Sequence, residues 1–325
     1  MLPTPLARKV LSSQQLVESY PPKIIHPNKK IVYSIACPPG TVHSGEITLS
    51  RWAEMELPRS IGSHATEFEQ REDYFGYEPN NRPGMVEWYL NFADQHLFVA
   101  YGSGLFAQDE MQVAEHPALG SLREALLASD IPALTTENGS ATPVLVRGVE
   151  RRCKVAIDPN AAMSRPQGLY GNAFHRASVE AITSATQPII PPTISNILAI
   201  EAPHGGVGQY RASEITKILS TAYTGFHAAV LESGAGFETH IHTGFWGCGA
   251  YGGNRVLMGL LQLLAARMAK VTRLIFHTGN AVGTADFQQS RDLAEEFSEK
   301  HADSVANLIQ AIKARGFAWG VSDGN

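Results

Sequence analysis

Residues 243–255 read TGFWGCGAYGGNR, with Gly247, Gly249, Gly252 and Gly253 inside seven positions. Before this stretch, FETHIHTG alternates as a strand does. After it, RVLMGLLQLLAARMAK has the apolar density of a buried helix. A strand feeding a helix through glycines is an α/β unit, and ligands of open α/β sheets sit at the carboxyl ends of the strands. Glycine lets the backbone approach a ligand closely, and the free N–H groups of a helix start favour phosphate. Thr243, Gly244, Phe245, Trp246, Gly247, Cys248, Gly249, Ala250 and Tyr251 are therefore candidates for a diphosphate cradle. A tight structural turn would use the same glycines.

A second loop has the same grammar. In YGSGLFAQDEMQVAEHP, residues 101–117, the spacing predicts a strand over 97–101, the turn Gly102-Ser103-Gly104, and a helix through Glu115 stopped by Pro117. Elsewhere helices are expected in LGSLREALLAS and YRASEITKILSTAYTGFHAAVL, and over 286–315. Strands are expected in TPVLVRGVE, CKVAID, SNILAIEAP and VTRLIFHT. This alternation implies an α/β fold with a mixed, largely parallel central sheet flanked by helices on both faces. The first 82 residues look irregular, with SYPPK, CPPGT and EPNNRPG, one strand over 30–36 and a short helix over 49–57. They read as an N-terminal accessory region packed on a main domain of residues 83–325.

Composition narrows the function classes. A net charge of -5 argues against a general nucleic-acid binder, which needs an excess of Lys and Arg. The three cysteines, Cys37, Cys153 and Cys248, are scattered and suggest neither a disulfide framework nor a zinc ribbon, so a cytoplasmic, reducing location is expected. The most apolar helical stretch, 256–269, is too short for a membrane span and contains Arg267. The N-terminus lacks the pattern of a signal peptide. Gly247-x-Gly249-x-x-Gly252 fits the dinucleotide fingerprint, but the next strand ends FHTGN without the acid that would hold a ribose.

The residues themselves resemble a family. NFADQHLFVAYGSGLFAQDEMQ resembles the poly(ADP-ribose) glycohydrolase segment in which a glycine triplet precedes Gln-Glu-Glu, and TGFWGCGAYGGNRVLMGLLQLLAA is similar to that family's diphosphate loop. AYTGF in the intervening helix and, more faintly, LYGNAFHRA match as well, in the same order, so the resemblance covers about residues 86–278. It implies a macrodomain-like fold, ADP-ribose or ADP-ribosylated protein as ligand, no cofactor, and hydrolysis of a glycosidic bond. Three departures stand out: Ser103 breaks the glycine triplet, Gln-Glu-Glu has become Gln108-Asp109-Glu110, and Asp94 replaces an asparagine. An acid-rich arrangement suits removal of single ADP-ribose units, for instance from arginine, as in bacterial effector macrodomains. An effector of that kind would be delivered into a host cell.

Cleavage at a ribose builds positive charge on the anomeric carbon. Two nearby acids push their pKa values apart and so supply both a proton donor and a base. The resemblance assigns Glu110 to acid/base work at the reacting ribose. Asp109 falls to ribose hydroxyls or the scissile group, and Asp94 to the distal ribose or a guanidinium. Gly102, Ser103, Gly104 and Gln108 would line the sugar, while Phe245, Trp246 and Tyr251 offer aromatic surface for adenine. Acids in a helix's first turn also arise from the helix dipole alone. Polymer cleavage and a non-catalytic ADP-ribose reader are alternatives. A metal hydrolase is a third, resting on His240, His242, Cys248, His277 and His204, although no established zinc spacing is present.

Overall fold

The computed structural model describes residues 3–78, 82–203 and 205–324. Its strands are β1 (Ala7–Ser12), β2 (Glu46–Arg51), β3 (Glu67–Arg71), β4 (Met85–Ala93), the short pair β5 (Thr136–Glu137) and β6 (Ser140–Ala141), β7 (Val144–Val155), β8 (Thr186–Glu201), β9 (Glu238–Thr243) and β10 (Arg273–His277). Helices are α1 (Ser13–Ser19), α2 (Pro27–Ala36), α3 (Gln108–Glu115), α4 (Ala118–Leu127), α5 (Ala173–Arg176), α6 (Val179–Ala185), α7 (Ala212–Ser233), α8 (Arg255–Ala269), α9 (Ala281–His301) and α10 (Val305–Ala314).

Eight strands form one sheet in the order β1-β2-β7-β8-β4-β9-β10-β3. The run β8-β4-β9-β10-β3 is parallel throughout, and β7, β2 and β1 add antiparallel pairings. Alternation along the central strands sorts the core into two faces. Trp88 and Leu90 of β4 join Leu198 and Ile200 of β8 under α7, α8, α9 and α10. Tyr89, Ile197 and Ala199 face the other way, toward α1, α3 and α4. The central strands are covered on both sides, as a parallel sheet requires.

The N-terminal segment is not an accessory layer. It supplies β1 and β2 at one edge of the sheet and β3 at the other. The expected strand over 30–36 is helix α2, started by Pro27 at its first turn and by His26, whose ring accepts from the Asn28 amide at 3.2 Å. The expected helix over 49–57 is instead the end of β2 and an irregular segment. The strand expected at 97–101 is a series of turns, and β4 ends earlier, at Ala93. Leu97, Phe98 and Tyr101 of this segment are nevertheless buried, while Val99 is exposed, and Phe98 lies in the left-handed region at φ 56°. The two strands expected in TPVLVRGVE and CKVAID are one bulged strand, β7. The irregular stretch EPNNRPG falls in part, at 79–81, outside the described residues.

Candidate active site

The two glycine loops leave the carboxyl ends of adjacent parallel strands, since β4 pairs directly with β9 and Tyr89 lies beside His242. Their proximity is a consequence of sheet order and is invisible to the linear sequence. Residue Tyr251 of the second loop hydrogen-bonds the Asp94 carboxylate of the first, and both Asp109 and Glu201 act electrostatically on its hydroxyl. The strand ends β8, β4 and β9 thus meet around one acidic mouth.

On the β4 side, the acid pair opens α3. Asp109 is 6% exposed, and its Oδ1 accepts from the Asn91 amide at 3.1 Å. Glu110 is 4% exposed, and its Oε2 accepts from the Ala107 N–H at 3.0 Å, tying the side chain back over the helix start. Burial raises the pKa of both carboxyls. The charge of Glu110 pushes Asp109 up further, while the Lys29 ammonium draws Glu110 back down. A buried acid pair of this kind holds one proton readily near neutral pH.

Asp94 sits at the rim, with its side chain 45% exposed. Its Oδ1 accepts from the His96 N–H at 2.8 Å, which fixes the carboxylate in a local turn. Gln108 is occupied structurally. Its amide donates to Leu90 O at 3.0 Å and accepts from Phe92 N at 2.8 Å, docking the α3 start onto β4. Gly102 and Gly104 also serve packing rather than a ligand. A Cβ on Gly102 would lie 2.4 Å from Lys23 O, and one on Gly104 would lie 2.5 Å from the His175 ring. The Ser103 hydroxyl accepts from Leu105 N at 3.1 Å.

The second loop is shaped by backbone. Gly247 (φ 74°) and Gly252 (φ 65°) occupy the left-handed region, and a Cβ on Gly247 would meet the Ala202 methyl at 2.5 Å. Thr243 hydrogen-bonds Gln262 of α8, whose amide also holds Gly244 O at 3.0 Å. Asn254 caps α8 by accepting from Leu257 N at 3.0 Å. Trp246 is fully buried, and its indole donates to Ile200 O at 3.1 Å. It therefore supports the loop from below and offers no face to adenine. Phe245 is partly buried against Phe276 and lies beneath the Arg255 guanidinium. Tyr251 is the aromatic residue of this loop that reaches the acids. Ala250 is exposed, and the Cys248 thiol is held neutral by burial, which pushes its pKa up.

Other residues complete the site without having been flagged by sequence. Lys29 of α2 is fully buried and donates to Tyr101 O at 2.8 Å. The hydroxyl of Tyr170 bonds to the Gln108 backbone and faces both Glu110 and Asp323. The C-terminal segment crosses the second loop. Gly320 N donates to Gly252 O at 2.8 Å, and the Asp323 carboxylate lies against Gly249. Nothing in the local sequence marks Lys29, which immediately precedes the segment read as a strand. The histidines on which a metal site was considered form a different array. His242 Nδ1 and His277 Nε2 are 2.9 Å apart, and His277 Nδ1 meets Asp73 at 2.7 Å. Among the described residues no group of three or more His, Cys, Asp or Glu is arranged to hold a metal ion. His204 lies outside them.

Residues 143–286 match the family model described as poly(ADP-ribose) glycohydrolase (PARG), macro domain fold. That span holds the second loop with α7 and α8, but not the acid pair. The X-ray structure of PARG from Thermomonospora curvata is similar at a TM-score of 0.52 and 15% identity, covering 81% of this chain and 98% of that one. This likeness shows a shared fold. PARG from Deinococcus radiodurans in complex with ADP-ribose aligns at 12% identity and a TM-score of 0.46, covering 88% and 95% of the two chains.

Proposed function

We propose that the chain is a PARG-like macrodomain protein, as the family-model match over residues 143–286 and the shared fold support, and that it is an ADP-ribosyl glycohydrolase that removes single ADP-ribose units from protein, arginine adducts foremost. One observation carries the reading: the second glycine loop closes, through Tyr251 and Asp94, over a buried Asp109–Glu110 pair.

The second loop and the α8 N-terminus would take the diphosphate through backbone N–H groups. Cleavage then places the anomeric carbon beside the acid pair. Glu110 acts as the acid/base. As a carboxylate it accepts a proton from water while the water oxygen bonds to the anomeric carbon. In its protonated form it gives a proton to the leaving atom as the glycosidic bond breaks. Free ADP-ribose and the unmodified side chain result. Asp109, held by Asn91, orients the ribose hydroxyls beside that carbon.

The linkage preference rests on charge. Asp94 presents an exposed carboxylate at the rim, fixed from one side by the His96 N–H and from the other by Tyr251. A guanidinium pairs with carboxylates through parallel hydrogen bonds, which a polymer's ribose–ribose linkage cannot do. The test is a panel of arginine-linked, glutamate-linked and polymeric ADP-ribose, scored for released ADP-ribose. Release from the arginine adduct at the highest kcat/KM is expected. Release from polymer alone would overturn the preference, and binding of ADP-ribose without release from any substrate would make the protein a reader.

A further inference from the structure

We propose that Lys29 is a positioning residue for this reaction: its ammonium, delivered by α2 beneath the first glycine loop, fixes that loop and supplies the positive charge against which Glu110 works. This deepens the hydrolase reading and rests on it. A fully buried lysine is rare and costly unless its charge is used. Here the ammonium donates to the carbonyl of Tyr101, the residue at the head of the loop, at 2.8 Å. It also lies 5.2 Å from the centre of the Phe106 ring and 5.8 Å from that of Phe174. Phe106 precedes Ala107, whose N–H holds Glu110. The lysine thus touches both ends of the segment 101–107 that carries the acids.

The charged surroundings are one-sided. Asp109, Asp94 and Lys29 act on Glu110, and Tyr170 faces it from the 169–177 segment. Among these Lys29 is the one cation. Arg123 of α4 lies within the field of Asp109 and Asp94. His26, at the start of α2, is discouraged from protonation by burial, by His175 and by Lys29. Burial lowers Lys29 itself to about 8, while Glu110 and Asp109 oppose the fall.

The test is the pH profile of kcat/KM for Lys29→Met and Lys29→Arg on whichever adduct the parent cleaves. Met is volume-matched to an apolar slot, so the variant should fold. Its acidic limb is expected to move to higher pH by about one unit or more, with at least a tenfold loss at neutral pH. Arg, which stays charged, is expected to keep the parent's acidic limb and to extend activity on the alkaline side. Should Met fail to fold, infrared titration of the Glu110 carboxyl in Lys29→Arg against parent replaces it, with no rise in the carboxyl pKa expected and a rise contradicting the inference. Loss of activity with an unmoved profile would make Lys29 structural only and overturn the inference. A parent inactive on every adduct would instead overturn the hydrolase reading.

A second inference has an independent basis. We infer that the C-terminal segment 319–324 is an autoinhibitory strap lying where the diphosphate would bind. The Trp319 ring stacks on Tyr210 with centroids 4.1 Å apart, and the Trp319 backbone N–H donates to Gly208 O at 2.8 Å. Beyond it, Gly320 N bonds Gly252 O, Asp323 N reaches Gly249 O at 3.4 Å, and Asn172 donates to Gly324 O at 3.2 Å. The strap therefore spans from the second loop to the 169–177 segment, across the mouth of the site. An Oδ atom of Asp323 lies 3.1 Å from where a Gly249 Cβ would sit, so a carboxylate stands in for phosphate on the loop.

The Trp319 anchor argues for leaving that residue intact. Calorimetric ADP-ribose affinity is compared for the full chain, Asp323→Ala, and a deletion of 321–325. Tightening of about tenfold or more in both variants is expected, since a competing anion is removed. Equal affinity in all three would overturn the strap, and absence of binding in all three would overturn the ADP-ribose reading and the strap with it.

Discussion

The two glycine loops look alike in sequence and work by opposite means. The second spends its glycines on shape. Gly247 and Gly252 hold left-handed backbone and Trp246 is buried underneath. The first spends its glycines on packing, against Lys23 and His175, and carries its chemistry in side chains that are buried at a cost. A backbone cradle tolerates changes to its side chains and not to its glycines, whereas the acid pair depends on two side chains that no substitution preserves.

The largest effect should come from Asp109→Asn. Activity is expected to fall about 10²–10⁴-fold with ADP-ribose affinity retained. Stability should move in the opposite direction. Burial raises the folded-state pKa of Asp109. Between its ordinary value of ~3.9 and that raised value, the folded chain holds a proton that the unfolded chain has lost. Parent stability therefore falls as pH rises through that window. Asp109→Asn lacks this loss, so its melting-temperature advantage should widen from pH 5 to pH 8. A constant gap would mean that Asp109 is not strained by its charge.

Gly247→Ala comes next and should act on binding alone. Left-handed strain together with the Ala202 clash costs on the order of 3 kcal/mol, which is roughly a hundredfold in ADP-ribose affinity if the loop must shift. Unchanged affinity would show that the cradle is not the binding surface. Asp94→Asn should lower kcat/KM on the arginine adduct about tenfold and spare the glutamate adduct, read in parallel assays. Equal losses on both would assign Asp94 to the ribose. Cys248→Ala should change turnover less than about twofold, because burial keeps that thiol neutral and unreactive.

The second loop was legible because its requirements are local: glycines where φ is positive and a strongly apolar helix behind. Helices α7 and α8 announced themselves by periodicity for the same reason. Asp109 and Glu110 were visible as a pair in a helix's first turn, but not the burial that raises their pKa values. Strands β1 and β3 were missed because they lie at sheet edges, where β1 shows no clean alternation and β3, EFEQR, is nearly all polar. The β-branched and aromatic run in 30–36 suggested a strand, yet Pro27 and the His26 cap set a helix. Leu97, Phe98 and Tyr101 are buried from turns, which periodicity does not distinguish from a short strand. Lys29 was hidden because lysines are normally exposed, so only packing reveals a buried one. Gln108 was placed correctly in the motif, but its amide serves β4.

The central claim is that an acid from the first loop works on a sugar held by the second. Its most direct test is Glu110→Gln, measured twice on one preparation: calorimetric ADP-ribose affinity, and release of ADP-ribose from the best adduct. Affinity within about threefold of the parent, with turnover reduced about 10²-fold or more, is the predicted result. Hydrolysis at the parent's rate would contradict it.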